Sequence, residues 1–191
     1  MTEKEKMLAG QLYRCDDELN RLSLEAKCRL REFNDTPPDD TARRIELLRR
    51  FFKSTGDDIW IEQPLYCDYG IFTEIGDHFY ANANLTILDS APVKIGAHVM
   101  FGPNVSLYTA THTLDHKTRN LDRLEYAKPI TIGDNAWLGG SVTVLPGVTI
   151  GAGAVIGAGS VVTKDVPART LACGNPCRVL KKIDPERGLD V

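Results

Sequence analysis

No apolar run in this 191-residue chain approaches the roughly 18 to 20 residues that span a bilayer, so a membrane-spanning helix is excluded. An excess of charge of one sign is missing too. Lys and Arg number 23 against 26 Asp and Glu, a formal net charge of -3, which leaves no electrostatic surplus for sequence-independent binding to nucleic acid or anionic lipid. The five cysteines (Cys15, Cys28, Cys67, Cys173, Cys177) are scattered, and no two form a C-x-x-C pair of the kind that holds zinc or does redox work. Reduced, structural thiols are expected. The charged opening, Met1 to Lys6, has no apolar signal core behind it, so a cytoplasmic location is expected. With 42% hydrophobic residues, the chain can bury the core of one full-sized domain or of one domain with a small appendage.

Glycine is nearly missing from residues 1–55, which contain only Gly10, whereas the remaining residues contain fifteen. The first 55 positions hold 23 of the 49 charged side chains, a composition that suits helices. Ile45, Leu48 and Phe52 fall at i, i+3 and i+7 behind possible N-caps Asp39, Asp40 or Thr41, which predicts a helix from about Thr41 to Lys53. Leu8, Leu12, Leu19 and Leu22 recur at near-helical spacing upstream, and Pro37-Pro38 separates the two parts. Three segments follow: a helical portion at 1–55, a second region at 56–183, and a tail at 184–191.

The second region repeats. From Ile132 an aliphatic residue returns every six positions, at Leu138, Val144, Ile150, Ile156 and Val162. The residue four places beyond each stays small or branched: Ala136, Val142, Val148, Ala154, Ser160, Val166. The register reappears at Ile75, Ala81 and Ile87 and at Ile95, Phe101 and Leu107. A period of six fits neither a helix at 3.6 nor a long strand at 2.0, but it fits a short strand plus a turn wound around a triangular prism. Three hexads would make one coil, with the aliphatic residue filling the interior, the small one near the corner, and Gly, Asn or Asp in the turn. A β-sandwich would not keep five such steps without slippage. The pattern is that of the hexapeptide-repeat parallel β-helix, a mainly β fold; its left-handed sense is what resemblance to that class implies.

Between Leu107 and Ile130 the register is lost, and a loop at about 109–128 carries two of the four histidines, His112 and His116, with Asp115, Asp122, Glu125 and Tyr126. A long break in a regular solenoid usually serves function. Histidine is the side chain best suited to take a proton near neutral pH. His112, closer to the prism edge, is the expected general base. Zinc would need a third ligand, His78 or His98, and both follow corner turns that point them to solvent, unlike the gamma-class carbonic anhydrases, so no metal is expected.

The opening Glu5-Lys6-Met7-Leu8-Ala9-Gly10-Gln11-Leu12-Tyr13 resembles the N-terminal segment of the maltose acetyltransferase and thiogalactoside transacetylase family of sugar O-acetyltransferases. Cys67-Asp68-Tyr69-Gly70, Phe79-Tyr80-Ala81-Asn82 and Tyr108-Thr109-Ala110-Thr111-His112 are similar to its interior motifs. Val162-Thr163-Lys164-Asp165-Val166-Pro167 and Gly174-Asn175-Pro176-Cys177-Arg178 are similar to its closing coil. The resemblance implies transfer of acetyl from acetyl-CoA to a hydroxyl of a small saccharide by direct attack, without metal, in a homotrimer with active sites between subunits. It implies His112 as base and Gly140 as the backbone donor facing the thioester. It implies Ala158, Thr163 and Lys164 along the pantetheine groove, with Lys164 and Arg178 meeting CoA phosphates. Tyr80 and Asn82 would lie at the base of the cleft, and Asp16 or Asp17, Asp68 and Asp89 would contact acceptor hydroxyls. Asp68 stands where the thiogalactoside enzymes carry serine and agrees better with the maltose type; Ser90 stands where they carry aspartate.

Trp137 is expected as a cleft wall and Trp60 as packing. The competing classes are an acetyltransferase for another hydroxyl, xenobiotic or oligosaccharide, and a non-catalytic trimeric scaffold.

Overall fold

The computed structural model describes residues 1–184, so the expected tail lies outside the described residues apart from Asp184. The chain begins with three helices: α1 (Glu3–Leu8), α2 (Asp17–Asn34) and α3 (Thr41–Phe51). A capping box formed by Thr2 and Glu5 starts α1, which stops at Ala9 and Gly10, the latter at φ 68. Leu8 and Leu12 are consequently exposed rather than parts of one continuous apolar stripe. Asp16 caps α2 by accepting from Leu19 N at 3.0 Å. Asp40 caps α3, which ends two residues short of the expected Lys53 and buries Arg44, Leu47, Leu48 and Phe51 while Ile45 stays half-buried.

From Ser54 onward the chain is a parallel β-helix of about six turns with three faces. The first face stacks Ser54–Thr55, Thr73–Ile75, Val93–Ile95, Ile130–Ile132 and Thr149–Ile150. The second stacks Ile59–Ile61, Phe79–Ala81, Met100–Phe101, Trp137–Leu138, Val155–Ile156 and Thr170–Cys173, and the third runs from Leu65–Cys67 to Val161–Val162. All six aliphatic residues of the hexad series are buried, and so are the small or branched residues four places on. Both hexad positions therefore fill the interior. Each fully buried aliphatic contributes roughly 1.5–3 kcal/mol.

The coils are not all of one length. Ile132 pairs with Ile150, the expected three hexads on, but Ile75 pairs with Ile95 and Tyr80 with Met100, each two positions farther. The surplus lies at the third corner, where the third face turns into the first: Cys67 to Ile75 and Ile87 to Ile95 each take eight residues instead of six. The 109–128 loop leaves from that same corner. Ile130 then pairs with Val93, so the solenoid resumes in register.

The other exposed surfaces differ in chemistry. Outward side chains of the second face form an apolar row in register, Trp60, Tyr80, Met100, Trp137, Val155 and Leu171. Those of the first face are Glu74, Lys94, Thr131 and Thr149. The helices cover the N-terminal end of the prism, with Phe51 pressed so closely on Gly70 that a Cβ there would sit 2.5 Å from its ring. Arg44, 3% exposed, joins cap to prism: it donates to Pro38 O (3.2 Å) and Ile61 O (2.9 Å), pairs with Glu62 (3.3 Å), and lies 4.4 Å from the Trp60 ring centroid. Trp60 thus serves packing, as expected. Among the described residues no helix is long and apolar enough to cross a membrane.

Candidate functional site

The long loop is an arm with a two-stranded root, Ala110–Thr111 paired antiparallel with Tyr126–Ala127. Buried Thr109 pins that root by donating to Leu88 O (2.6 Å) and accepting from Ala91 N (2.9 Å). Farther out, Asp115 accepts from Thr118 N at 2.8 Å, and Arg119 donates to Thr113 O at 3.0 Å. His112 leaves the root directly, half-exposed, with Nε2 3.9 Å from Oε2 of Glu125, the residue just before the returning strand. That distance is too long for a hydrogen bond and lies at the outer limit of an ion pair, which would form only with a protonated imidazole. His116 lies at the arm's exposed end, as expected.

Glu125 also exchanges both backbone hydrogen bonds with Tyr13, at 3.0 and 3.1 Å, tying the arm to the N-terminal segment. Tyr13 packs with Met7, Leu19 and Tyr69 in a second small core over the third corner. Cys15 is thereby delivered beside the arm. Burial raises its thiol pKa, and the charges of Glu125, Asp16 and Asp68 raise it further. Burial likewise raises the Asp68 carboxyl, with Lys27 opposing and Glu125 adding to the rise. His112, Glu125, Cys15, Asp16 and Asp68 thus converge at the third corner.

From sequence Glu125 stood only as one of the residues of the loop and Cys15 only as a structural thiol, neither with a role in the site. Glu125 could have been suspected from its place at the foot of the loop. Cys15 carried no such signal.

The expected acceptor carboxylates divide. Asp68 is in the cluster, Asp16 is spent partly on capping α2, and Asp17 is exposed at the first position of that helix. Asp89 requires a correction. It is fully buried and accepts from Tyr69 N (2.8 Å), Thr73 Oγ1 (3.0 Å) and the Cys67 thiol (3.2 Å), so it fixes the enlarged corner and has no surface left to offer an acceptor. Burial pushes its pKa up to about 6.

Asn82, Gly140 and Ala158 stack at the second corner, between the second and third faces. Backbone there is tightly layered: a Cβ on Gly102 would lie 2.5 Å from Gly140 N, and one on Gly139 would lie 2.7 Å from Ala158 N. The Gly140 carbonyl accepts from Gly159 N at 2.9 Å, while its N–H meets no acceptor among the described residues. Asn82 Oδ1 accepts from Ala83 N at 2.7 Å, and Tyr80 projects from the second face. Trp137 is 52% exposed, level with equally exposed Met100. Exposed Thr163 and Lys164 lie at the third corner of a later coil, and Lys164 shares a cavity of about 200 Å³ with Arg178. The structure therefore does not gather all expected residues at one place on a single prism: the base is at one corner, the backbone donor at another.

Residues 6–56 match the maltose acetyltransferase hexapeptide capping motif, and residues 129–164 match the bacterial transferase hexapeptide of six repeats. A crystal structure of a maltose O-acetyltransferase from Clostridium difficile is 49% identical, with a TM-score of 0.95 over 96% of this chain and 98% of that one. This chain belongs to the hexapeptide-repeat acetyltransferase family. The galactoside O-acetyltransferase of Escherichia coli is 42% identical over 96% of this chain and 91% of its own length. A family member from Vibrio cholerae, solved in complex with acetyl coenzyme A, is 39% identical with a TM-score of 0.86, covering 96% of this chain and all of the other. Among the described residues of the present chain, no group of three or more His, Cys, Asp or Glu could hold a metal ion.

Proposed function

We propose that this protein transfers acetyl from acetyl-CoA to a hydroxyl of a small saccharide, with His112 as the general base. The observation that carries the reading is the imidazole at the foot of the arm, 3.9 Å from Glu125, whose carboxylate also acts on Cys15 and Asp68. Acetyl-CoA supplies an activated acyl group, a thioester carbonyl open to attack. Asp68 and Asp16 orient the acceptor through its hydroxyls. His112 removes the proton from the attacking hydroxyl and later returns it to the departing thiolate, a role worth roughly 10² to 10⁴ in rate. The Glu125 carboxylate stabilises the imidazolium formed in between. The free N–H of Gly140 suits the oxyanion, and a fixed donor of this kind contributes about 10²–10³. Lys164 and Arg178, facing one cavity, suit the CoA phosphates, with Ala158 and Thr163 along the arm of the donor.

The base at the third corner and the donor at the second are complementary halves, so the site is complete when the second corner of one copy meets the third corner of another. The apolar row on the second face favours such an assembly, a homotrimer. Trp137 and Met100 in that row would wall the cleft, with Tyr80 and Asn82 at its base.

The test is His112→Ala, assayed by thiol release from acetyl-CoA with glucosides, galactosides, maltose and glucosamine derivatives. Turnover should fall by orders of magnitude while oligomeric mass and melting temperature persist. Unchanged turnover would refute the assignment, and no release by the wild type with any hydroxyl acceptor would favour a binding scaffold.

A further inference from the structure

Beside the candidate acceptor cluster, Arg14, Cys15, Leu121, Asp122 and Arg123 line a cavity of about 480 Å³. Its walls come from the two segments joined by the Tyr13 and Glu125 backbone pair, and Glu125 is also the residue 3.9 Å from the proposed base. Neither arginine forms a salt bridge among the described residues. Arg14 lies near Glu3, whose carboxylate accepts from the Arg14 backbone N–H and pairs with Lys6. Asp122 is paired with Lys117 at 3.5 Å. The lining therefore includes two exposed arginines without a carboxylate partner and one carboxylate that already has one, while Glu125, Asp16 and Asp68 act on Cys15 from the side of the acceptor cluster.

Arg123 has a further peculiarity. It is held at φ 54, a conformation disfavoured for an L side chain, which glycine would adopt freely. The other non-glycine residues in this region of conformation lie at turns of the prism, whereas Arg123 lies in the arm. It nevertheless lines the cavity together with the N-terminal segment.

We infer that the acceptor carries an anionic group, a phosphate or carboxylate, seated between Arg14 and Arg123 while a hydroxyl of the same molecule reaches His112. Planar guanidinium groups suit both anions, and hydrogen bonds assisted by charge are about twice as strong as neutral ones. The inference rests on the acetyl-transfer reading for its hydroxyl, but the anion site can be measured without turnover.

The experiment is calorimetric titration of the full-length protein, in the presence of CoA, with hexose phosphates and hexuronates beside the matching neutral hexosides. Wild type is expected to bind one of the anionic series about 10- to 100-fold more tightly than its neutral counterpart, and the preference should shrink with added salt. Arg123→Gly, which also relieves the backbone, and Arg14→Gln should each abolish the preference while binding of neutral hexosides is unchanged. Arg123→Lys should retain part of it. Phosphates against uronates tells which anion the site takes. Equal affinity for charged and neutral sugars, or a preference that survives both substitutions, overturns the proposal. Thiol release is followed in parallel: if no acceptor is acetylated, the transferase reading fails, while the titrations still support or overturn the arginine site.

Discussion

Replacing Gly102 by alanine tests whether the second corner holds the oxyanion donor. A Cβ on Gly102 would lie 2.5 Å from Gly140 N, 2.9 Å from Gly140 Cα and 3.0 Å from the Gly139 carbonyl carbon. All three contacts are backbone, so no side chain can swing aside. Opening the shortest to an ordinary contact near 3.5 Å needs a shift of about 1 Å, and the atom that must move is the proposed donor nitrogen. Displacement of that size costs about 10²-fold, approaching the 10²–10³ lost when an oxyanion donor is removed.

Gly133→Ala is the control. Its Cβ would lie 2.6 Å from Ala152 N and 2.9 Å from Ala152 Cα, an equal steric insult at the first corner. Both variants should lose about 1–3 kcal/mol of stability through overpacking. Only Gly102→Ala should lose kcat, measured as thiol release per folded active site below the melting transition. Full kcat in Gly102→Ala, or an equal loss in Gly133→Ala, would refute the placement of the donor.

Glu125→Gln keeps shape and removes charge, so kcat should fall about 10- to 100-fold with little change in the KM for acetyl-CoA, as read from initial rates. Arg44→Ala strips the link between cap and prism, leaving the Ile61 carbonyl unpaired and the Trp60 ring uncovered; about 3 kcal/mol should be lost, a fall of roughly 6–12 °C in Tm by calorimetry. For Asp89, burial raises the folded-state pKa from 3.8 to about 6, so between those values the folded protein holds the proton more tightly than the unfolded chain. The stability due to this group should decline as pH rises from about 4 to 6, by up to about 3 kcal/mol, and level off above. Melts of wild type and Asp89→Asn at pH 4, 5, 6 and 7 should show the wild-type Tm falling relative to that of the variant over that window; a rise relative to the variant would contradict it.

The prism was legible because its interior admits only one kind of residue at fixed intervals, and that demand reaches the sequence as a six-residue period from Ile132 to Val162. The first coil was hidden. Its inward residues Ile59, Ile61, Leu65 and Cys67 are buried like the rest, but Pro64 and the following eight-residue corner break the count. Helix α3 was readable from its periodicity, while the break after Gly10 was masked by leucines that continue at helical spacing on exposed turns. At the candidate site, His112 stood out because the solenoid stops there. The error over Asp89 has a physical cause: a polar residue beside a motif looks available, and only the folded corner reveals the donors that surround it. The role of Asp16 was written in its position, since an Asp ahead of Asp-Glu is an N-cap followed by an acidic first turn. Cys15 and Glu125 meet through backbone pairing of segments far apart along the chain, a contact no local pattern encodes.

The arm departs from the prism and returns without disturbing its register, yet it is stitched to the chain's opening by Tyr13 and Glu125. Loop exchange between relatives is therefore a poor way to alter which molecules are modified if the arm is transplanted alone. A chimera that carries residues 10–16 together with 109–128 moves both halves of the seam as a unit, and the column beneath should accept them as a cartridge.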